Sequence, residues 1–425
     1  MLELRSRVSS LAGRLATRAL SRGSVDLGQL TIVPERAKFP LRRHGTDPVA
    51  KIAEVRAAGP LHELKLPFGM RAWLVTGYAE SREVLTDTGS YSNDIRHLFS
   101  GSGPTTGDDI GGLGFTDPPL HTKLRKIITP EFTMRRLARM EPIIRDIVER
   151  QLDELAAGGP GADLAKHVAF PVPFQTITSL LGMAYEDAAT FQRLGGARFD
   201  VTGGAAAFGA MSAQREFLFA AVAKQRLDPG PGLIGQIIRD EGDNLTDAEL
   251  AGLADGVFTG GFETTAGMIA LGTLVLLRDP GHAALVRDGS PDEVDTVVEE
   301  LLRYLSVVQL AFPRFAKQDM QLFGRTIRKG DVLLASLPGA DRDPRVMGAN
   351  AEEFDPFRVP SSGHLAFGHG IHRCIGAELA RIELRIVLPR IFQRFPDLAL
   401  AVPGSDIAFR QLSFVYGVDS LPVTF

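Results

Sequence analysis

The chain has 425 residues, of which 44% are hydrophobic and 23% charged, a composition ordinary for a globular protein with a large core. Its 47 basic and 51 acidic residues leave a net charge of −4, which argues against nucleic acid as the main partner, because phosphate binding requires a basic excess. A single cysteine excludes an intramolecular disulfide and favours a reducing cytoplasm, and no uncharged helical run reaches the roughly 20 residues that span a membrane.

The chain is predicted to begin with a basic leader over residues 1–39, followed by one large domain over residues 40–425. Leu4, Leu11 and Leu15 fall on one helical stripe, and arginines surround it. That pattern is typical of a basic surface helix or a disordered leader, and it also resembles a transit peptide or a membrane-surface helix. No linker rich in glycine and serine divides the rest of the chain.

The large domain is predicted to be mainly α with minor β. Strands are expected at Met70–Thr76 and Asp331–Leu337, next to glycine turns. Apolar residues at helical spacing predict the helices Arg135–Ala156, Phe174–Leu181, Ala213–Gln225, Asp247–Leu277, Glu293–Tyr304 and Ala377–Phe395. Glycine-rich stretches at Ser92–Gly114 and Gly195–Ala210 predict loops, which are either plainly exposed or form a mobile lid over a cavity.

A Pro-Pro step at Pro118 and Pro119 opens a further predicted helix. His121 and Arg125 follow at a spacing of four residues and therefore face the same way. Arg314 stands in a later FPRFA stretch. Each of these basic residues, taken alone, is most simply an ordinary surface charge.

The predicted helix over 247–277 contains two adjacent glycines, Gly260 and Gly261, each of which costs about 1 kcal/mol in a helix interior. A sequence keeps such glycines where a backbone must open or where something must come close. The apolar run from Met268 to Leu277 indicates that this helix is central and buried. Glu263 and Thr264 follow the glycines, and the simplest interpretation is an exposed acid beside a threonine.

Glu300 and Arg303 are three residues apart on one predicted helix, close enough to form an ion pair. The plain interpretation is a surface pair worth less than about 1 kcal/mol. Val297 and Leu301 beside them indicate burial instead, and a buried ion pair requires additional partners.

The single cysteine, Cys374, lies in the stretch FGHGIHRCIG. Gly368 and Gly370 permit a tight loop before it, and Gly376 lets the chain turn into the helix that follows. Backbone N–H groups at a helix N-terminus favour a thiolate over a thiol. The stretch therefore predicts either a reactive thiolate or, more plainly, a small buried hydrophobic residue.

A thiolate in such a loop suits two kinds of chemistry. As a nucleophile, Cys374 would need a general base, for which His369 and His372 are candidates. As a zinc ligand it would need three more ligands, and there is no second cysteine. As an iron ligand it would need a porphyrin to supply the equatorial positions.

The stretch from Phe367 to Gly376 resembles the haem-binding signature of the cytochrome P-450 family, Phe-x-x-Gly-x-x-x-Cys-x-Gly. Three further stretches match motifs of that family: Glu-x-x-Arg at 300–303, GGFETT at 260–265 and DPPLHTKLR at 117–125. The resemblance runs from about Pro40 to the C-terminus and is strongest for the soluble bacterial branch. It implies a single haem-thiolate catalytic domain over 40–425, with a long central helix over the haem and small β-sheets at one side.

The resemblance also implies roles for the matched residues. Cys374 would bind the iron of haem b as its axial thiolate. The other residues in contact with haem would be His121, Arg125, Arg314, Phe367, Gly368, His372 and Gly376. Dioxygen would bind beside Gly260 and Gly261, with Glu263 and Thr264 relaying protons as an acid–alcohol pair. Arg358 in FDPFR would complete a structural brace with Glu300 and Arg303.

An apolar pocket is expected above the haem. Its predicted lining residues are Leu113, Val257, Phe258, Val308, Leu310 and Phe414. The substrate would be a small apolar molecule, either free or tethered to a carrier protein, as in secondary metabolism.

The resemblance implies a cytoplasmic monooxygenase that inserts one atom of dioxygen by hydroxylation or epoxidation. Electrons would come from a separate ferredoxin and ferredoxin reductase. The basic residues that would dock an acidic ferredoxin are Lys126, Arg373, Arg381 and Arg385.

Three alternatives remain on the residues alone: a haem-thiolate peroxygenase, a non-catalytic haem-binding sensor or carrier, and a thiol-dependent hydrolase. The acid–alcohol pair argues against the first, because peroxygenases generally lack it. Glycines beside a proton relay argue against the second. The third predicts a protein without haem.

Overall fold

The computed structural model of the chain describes residues 39–65, 71–95, 112–183 and 204–425. The predicted leader over 1–39 therefore lies outside the described residues except for its last residue. Residues 96–111 of the expected Ser92–Gly114 loop, and residues 195–203 of the expected Gly195–Ala210 loop, lie outside them as well.

Helices make up most of the described residues, as the sequence predicted. Their bounds are α1 Lys51–Ala58, α2 Tyr78–Thr86, α3 Leu120–Ile128, α4 Met134–Leu137, α5 Met140–Gly158, α6 Pro171–Leu181, α7 Gly204–Leu227, α8 Leu233–Glu241, α9 Asp247–Leu276, α10 Pro280–Asp288, α11 Pro291–Leu305, α12 Leu337–Ala340, α13 Pro344–Met347 and α14 Ala377–Arg394. The fold prediction of mainly α with minor β is confirmed.

Short strands form one mixed sheet, one hairpin and one further antiparallel pair. Their bounds are β1 Leu61–Lys65, β2 Arg71–Val75, β3 Tyr91–Ser92, β4 Arg314–Ala316, β5 Met320–Leu322, β6 Arg325–Ile327, β7 Val332–Ala335, β8 Ala399–Leu400 and β9 Val423–Thr424. The sheet has the order β1-β2-β7-β4-β3. The two strands predicted from sequence, β2 and β7, lie side by side in parallel, with Ala72 opposite Val332.

The central helix α9 spans 30 residues and matches its prediction to within one residue. It begins at a capping box, in which the Thr246 hydroxyl accepts from the Glu249 N–H at 3.1 Å and the Thr246 N–H donates to Glu249 Oε2 at 2.9 Å. Every residue from Thr265 to Leu276 is buried. An apolar helix buried on all sides must lie in the interior, and α6, α7 and α14 pack around it.

Two of the predicted boundaries are wrong. The helix predicted over Arg135–Ala156 is two helices, α4 and α5, which are separated at Ala138. Pro142 accounts for the break, because its ring would clash with the Ala138 carbonyl in a continuous helix, whereas the first turn of α5 accepts a proline. The expected loop Gly195–Ala210 is helical from Gly204 onward, where alanines favour a helix.

The C-terminal segment packs directly on the central helix. A Cβ atom built at Gly267 of α9 would lie 2.7 Å from the Tyr416 carbonyl oxygen. Further along this segment, Phe409 and Val418 pair as an isolated antiparallel bridge. Gly267 therefore permits a close contact that brings residues 409–418 beside the middle of α9. None of the helices in the described ranges is both long and apolar enough to cross a membrane.

We expect Gly267→Ala to lower the free energy of unfolding by about 1–3 kcal/mol, because the new methyl group would overlap the Tyr416 carbonyl. Gly256→Ala on the same helix is the matched control, since its Cβ would make only an ordinary 3.9 Å contact with the Leu113 nitrogen. That control should leave stability unchanged or raise it by up to about 1 kcal/mol. Urea unfolding followed by circular dichroism measures both, and equal stabilities would contradict the prediction.

Candidate active site

The loop that carries Cys374 is closed by a backbone hydrogen bond from the Cys374 N–H to the Phe367 carbonyl, at 2.9 Å. Gly368 and Gly370 adopt φ values of 70° and 73°, in the left-handed region that favours glycine. A Cβ atom at Gly370 would also lie 2.7 Å from the Leu85 carbonyl in α2. The loop geometry therefore requires glycine at these positions, and α14 begins just after it.

Cys374 is exposed at the surface of the loop. Desolvation by the neighbouring protein atoms nevertheless raises the pKa of its thiol. A hydrogen bond from the Gly376 N–H and the positive charges of Arg125, Arg373 and Arg381 act in the opposite direction. The predicted effects that favour a thiolate are thus present, although desolvation of the sulfur outweighs them. A metal cation at the sulfur would reverse that balance.

Residues that could hold an anionic ligand gather next to this loop. The His121 and His372 rings lie 4.3 Å apart, and His121 Nε2 and His372 Nδ1 are buried without a hydrogen-bond partner among the described residues. Burial, together with the nearby His121 and Arg314, lowers the pKa of His372 to about 3. Burial also lowers the pKa of Arg314 to about 10. Buried, unpartnered nitrogens beside buried cations fit a ligand that brings carboxylate oxygens.

The donor set around Cys374 also fits a ligand that completes its own metal coordination. In the parts of the chain that the structure describes, no group of three or more His, Cys, Asp and Glu side chains could hold a metal ion. A metal bound by Cys374 would therefore take its remaining ligands from a cofactor. Haem b meets both requirements. Its porphyrin supplies four nitrogen ligands to the metal, and its propionates are carboxylates that the basic residues could bind.

One face of α9 is exposed near its middle. Gly256, Gly260 and Thr264 follow each other at intervals of four residues and so share this face. A Cβ atom at Gly260 would meet no atom of the described residues within 4 Å, whereas one at Gly261 would lie 2.7 Å from Ile177 Cδ1 in α6. The two glycines, grouped together from sequence, thus differ: Gly260 keeps open space beside the helix, and Gly261 permits helix packing.

The predicted acid–alcohol pair has separate partners. The Thr264 hydroxyl donates to the Gly260 carbonyl at 2.7 Å. The Glu263 side chain is only 2% exposed and accepts a hydrogen bond from Arg410 Nη1. Arg410 also places Nε 3.6 Å from Asp419 Oδ1. Sequence reasoning missed Arg410, because it lies 147 residues from Glu263 and belongs to no motif.

The predicted brace comes together as a buried network. Arg303 donates to both Glu300 oxygens at 2.7 Å, and Arg358 Nε donates to Glu300 Oε1 at 3.2 Å. The remaining Arg303 donors reach the carbonyls of Asp341, Ala351 and Glu353. The network joins α11 to the segment that leads toward the cysteine loop.

The expected ferredoxin-docking charges are only partly free. Arg381 is paired with two carboxylates, Glu299 and Glu378, and Arg385 Nε lies 2.5 Å from Asp295 Oδ1. Lys126 and Arg373 remain exposed. Two of the four charges are thus compensated within the protein, and the docking surface stays a prediction.

The predicted pocket residues separate into exposed and buried positions. Phe414 is 42% exposed. Leu113 is half-buried beside the open face of α9, where the Leu113 nitrogen would lie 3.9 Å from a Cβ atom at Gly256. Phe312, which sequence reasoning missed, is 47% exposed and makes an edge contact with Phe115.

The other predicted pocket residues are covered to different degrees. Phe258 is fully buried and packs against Phe174 and Phe262, so its assignment to the pocket is wrong. Helical spacing explains the error, because Phe258 lies on the face of α9 that meets α6. Val257 and Leu310 are buried, and Val308 is half-buried.

Comparison with known sequences places the chain among proteins of one family. A family model described as Cytochrome P450 matches residues 293–404. Cytochrome P450 165C4 of Amycolatopsis orientalis is 40% identical to the chain over 407 residues, which is 94% of this chain and 99% of that protein. Cytochrome P450 monooxygenase PikC of Streptomyces venezuelae is 36% identical, over 89% of this chain and 91% of that protein.

Solved structures agree with this placement. OxyC, a cytochrome P450 implicated in an oxidative C–C coupling reaction during vancomycin biosynthesis, matches with a TM-score of 0.81 at 38% identity, over 92% of this chain and 97% of that chain. The methyl hydroxylase MycCI of Micromonospora griseorubida matches with a TM-score of 0.83 at 32% identity, over 91% and 99% of the two chains. The chain therefore belongs to the cytochrome P450 family of haem-thiolate monooxygenases.

Proposed function

We propose that Cys374 binds the iron of haem b and that the protein inserts one atom of dioxygen into a small apolar molecule. One observation carries the assignment of the ligand: the family uses a cysteine thiolate, and Cys374 is the only cysteine in the chain. When bound, haem supplies the activation of dioxygen. The residues of the chain hold the cofactor, exclude water and handle protons.

The basic residues next to the Cys374 loop support haem binding there. In the described parts of the chain, His121 Nε2 and His372 Nδ1 lack partners, and Arg125 and Arg314 add positive charge beside them. Charge-assisted hydrogen bonds to propionates would satisfy these groups. Phe367, Gly368 and Gly376 would form the backbone cradle around the thiolate.

Proton handling at Thr264 and Glu263 is supported by their place on α9. The Thr264 hydroxyl stands on the open face, next to Gly260. The Glu263 carboxylate is bound by Arg410, so a proton can pass between Glu263 and Thr264 only through a bridging water or after Glu263 leaves Arg410. Arg410 would thereby control how readily a proton passes from Glu263 to Thr264.

The electron donor is proposed to be a separate ferredoxin with its reductase. The exposed Lys126 and Arg373 support an acidic partner at the cysteine side. The single cysteine favours a reducing cytoplasm as the location. Exposed Phe312 and Phe414 support an apolar substrate at the opposite side.

Oxidative C–C coupling is the second candidate reaction. It is favoured by the similarity to OxyC at 38% identity and a TM-score of 0.81. Oxygen insertion adds one oxygen atom to the product, whereas coupling removes two hydrogen atoms from the substrate. Mass spectrometry of products formed under labelled dioxygen from candidate phenolic and aliphatic substrates therefore distinguishes the two reactions.

We expect dithionite-reduced protein under carbon monoxide to show the red-shifted Soret band of a thiolate ligand, and Cys374→Ser to lose it. The serine oxygen cannot replace the thiolate as an electron-rich ligand. Absorption spectroscopy on purified wild type and variant, with haem quantified separately, measures this. A variant that keeps the shifted band, or a wild type that binds no haem, would contradict the proposed function.

We expect Thr264→Ala to bind haem normally but to release most consumed reducing equivalents as hydrogen peroxide, with product formation falling roughly 10-fold or more, because the proton donor is lost. Thr265→Ala is the matched control, since Thr265 is 3% exposed on another face of α9. Peroxide and product are measured with a surrogate ferredoxin system. Equal peroxide release from wild type and Thr264→Ala would remove Thr264 from the relay.

We expect Arg410→Gln to destabilise the protein by about 3 kcal/mol, because it leaves Glu263 buried without its cation. Glu263→Gln should cost less, since Arg410 is 18% exposed and lies near Asp419. The double variant should resemble Glu263→Gln, a non-additive result that identifies a coupled pair. Thermal unfolding of the four proteins tests this, and simple additivity would show that the two side chains do not interact.

A further inference from the structure

Three arginines, Arg125, Arg373 and Arg381, carry positive charge beside the loop that holds Cys374. The central carbon of Arg381 lies 4.8 Å from the centroid of the Phe367 ring, and the Phe367 carbonyl accepts the Cys374 N–H at 2.9 Å. Within the described ranges, Arg381 is the one of these three arginines that is held in ion pairs with carboxylates. The charge that the sulfur experiences therefore depends on the acids that compensate Arg381.

Glu299 is the principal partner of Arg381. Arg381 Nε donates to Glu299 Oε1 at 2.5 Å, and Arg381 Nη2 donates to Glu299 Oε2 at 2.9 Å. Glu378 contributes a single further contact, from Arg381 Nη1 at 2.8 Å. Two parallel hydrogen bonds hold a guanidinium in a defined orientation. Here they hold it with its central carbon 4.8 Å from the centroid of the Phe367 ring.

Glu299 also fixes the segment that enters the cysteine loop. His364 Nδ1 accepts from the Ala366 N–H at 3.1 Å, so its proton is on Nε2, which lies 3.2 Å from Glu299 Oε2. Burial raises the pKa of Glu299, but hydrogen bonds from Arg381 and His364 lower it to about 2. One charged carboxylate on α11 thus binds both α14 and the start of the loop whose Phe367 carbonyl accepts from Cys374.

We propose that Glu299 is a positioning residue that sets the positive charge around the Cys374 sulfur, by compensating Arg381 and holding it over Phe367. The proposal rests on the proposed function, in which Cys374 binds the haem iron. Without Glu299, Arg381 would keep a single carboxylate contact. A less compensated cation stabilises negative charge on the sulfur, which weakens electron donation to the iron and makes reduction easier.

The test is the reduction potential of haem-loaded variants. Glu299→Gln keeps the size of the side chain and an oxygen for His364, but removes the charge. We expect it to retain the red-shifted carbon monoxide band while its potential becomes more positive, so that the ratio of ferrous to ferric protein at a fixed potential rises several-fold. Arg381→Gln removes the cation and should shift the potential in the opposite direction. Dye-calibrated reductive titration measures both.

Two further variants serve as controls. Glu149→Gln breaks an ion pair of the same type with Arg390, farther along α14, and should leave the potential unchanged. Glu378→Gln should shift the potential in the same direction as Glu299→Gln, but by less. If Glu299→Gln binds no haem, the potential of Glu378→Gln tests the proposal in its place.

Unchanged potentials in both Glu299→Gln and Glu378→Gln would overturn the proposal. Shifts of the same sign in Glu299→Gln and Arg381→Gln would also overturn it, because they would indicate loop geometry rather than charge. A wild type without haem or without the shifted band would instead show that the proposed function is wrong.

Discussion

The buried Glu300 carboxylate is the contact on which the arrangement of the cysteine side depends. It accepts two hydrogen bonds from Arg303, one from Arg358 and one from the Asp355 N–H. A buried charge is tolerated only when such partners satisfy it, and removing one partner leaves the others uncompensated. The network therefore forms as a whole, and it ties α11 to residues 341–358, which precede the cysteine loop in sequence.

Beyond the Glu300 network, further carboxylates bind the segment that leads to Cys374. The fully buried Asp341 accepts from the Leu365 N–H at 2.6 Å. Glu299, the neighbour of Glu300 on α11, binds His364 and Arg381. Cys374 is thus presented by a loop that is held at its entrance by two carboxylates and at its exit by α14.

Much of the fold and of the cysteine side could be predicted because the signals are local. The apolar run of α9 predicts a buried helix within one stretch of sequence. The glycine spacing before Cys374 predicts a tight turn, and the structure shows the positive φ values that the turn requires. The spacing of Glu300 and Arg303 places both on one helix face. Each inference needs only neighbouring residues and the helical period.

The errors and omissions have the opposite character, because they concern contacts between distant segments. Arg410 was missed because its carboxylate partner lies on another element. Phe258 was placed in the pocket because its sequence neighbours suggested it, whereas the packing of α6 against α9 buries it. The ion pair of Arg381 with Glu299, which is 82 residues away, was likewise not predicted.

The sequence by itself determined the helical class of this protein, its single cysteine at a helix start and the motif residues that the family shares. Only the tertiary structure decided that Gly260 faces open space while Gly261 meets Ile177, and that Glu263 is bound by Arg410. The reason is physical: helix period and turn chemistry depend on residues that are close together in the sequence. Burial and charge compensation depend on which segments meet, and that is settled only when the whole chain packs.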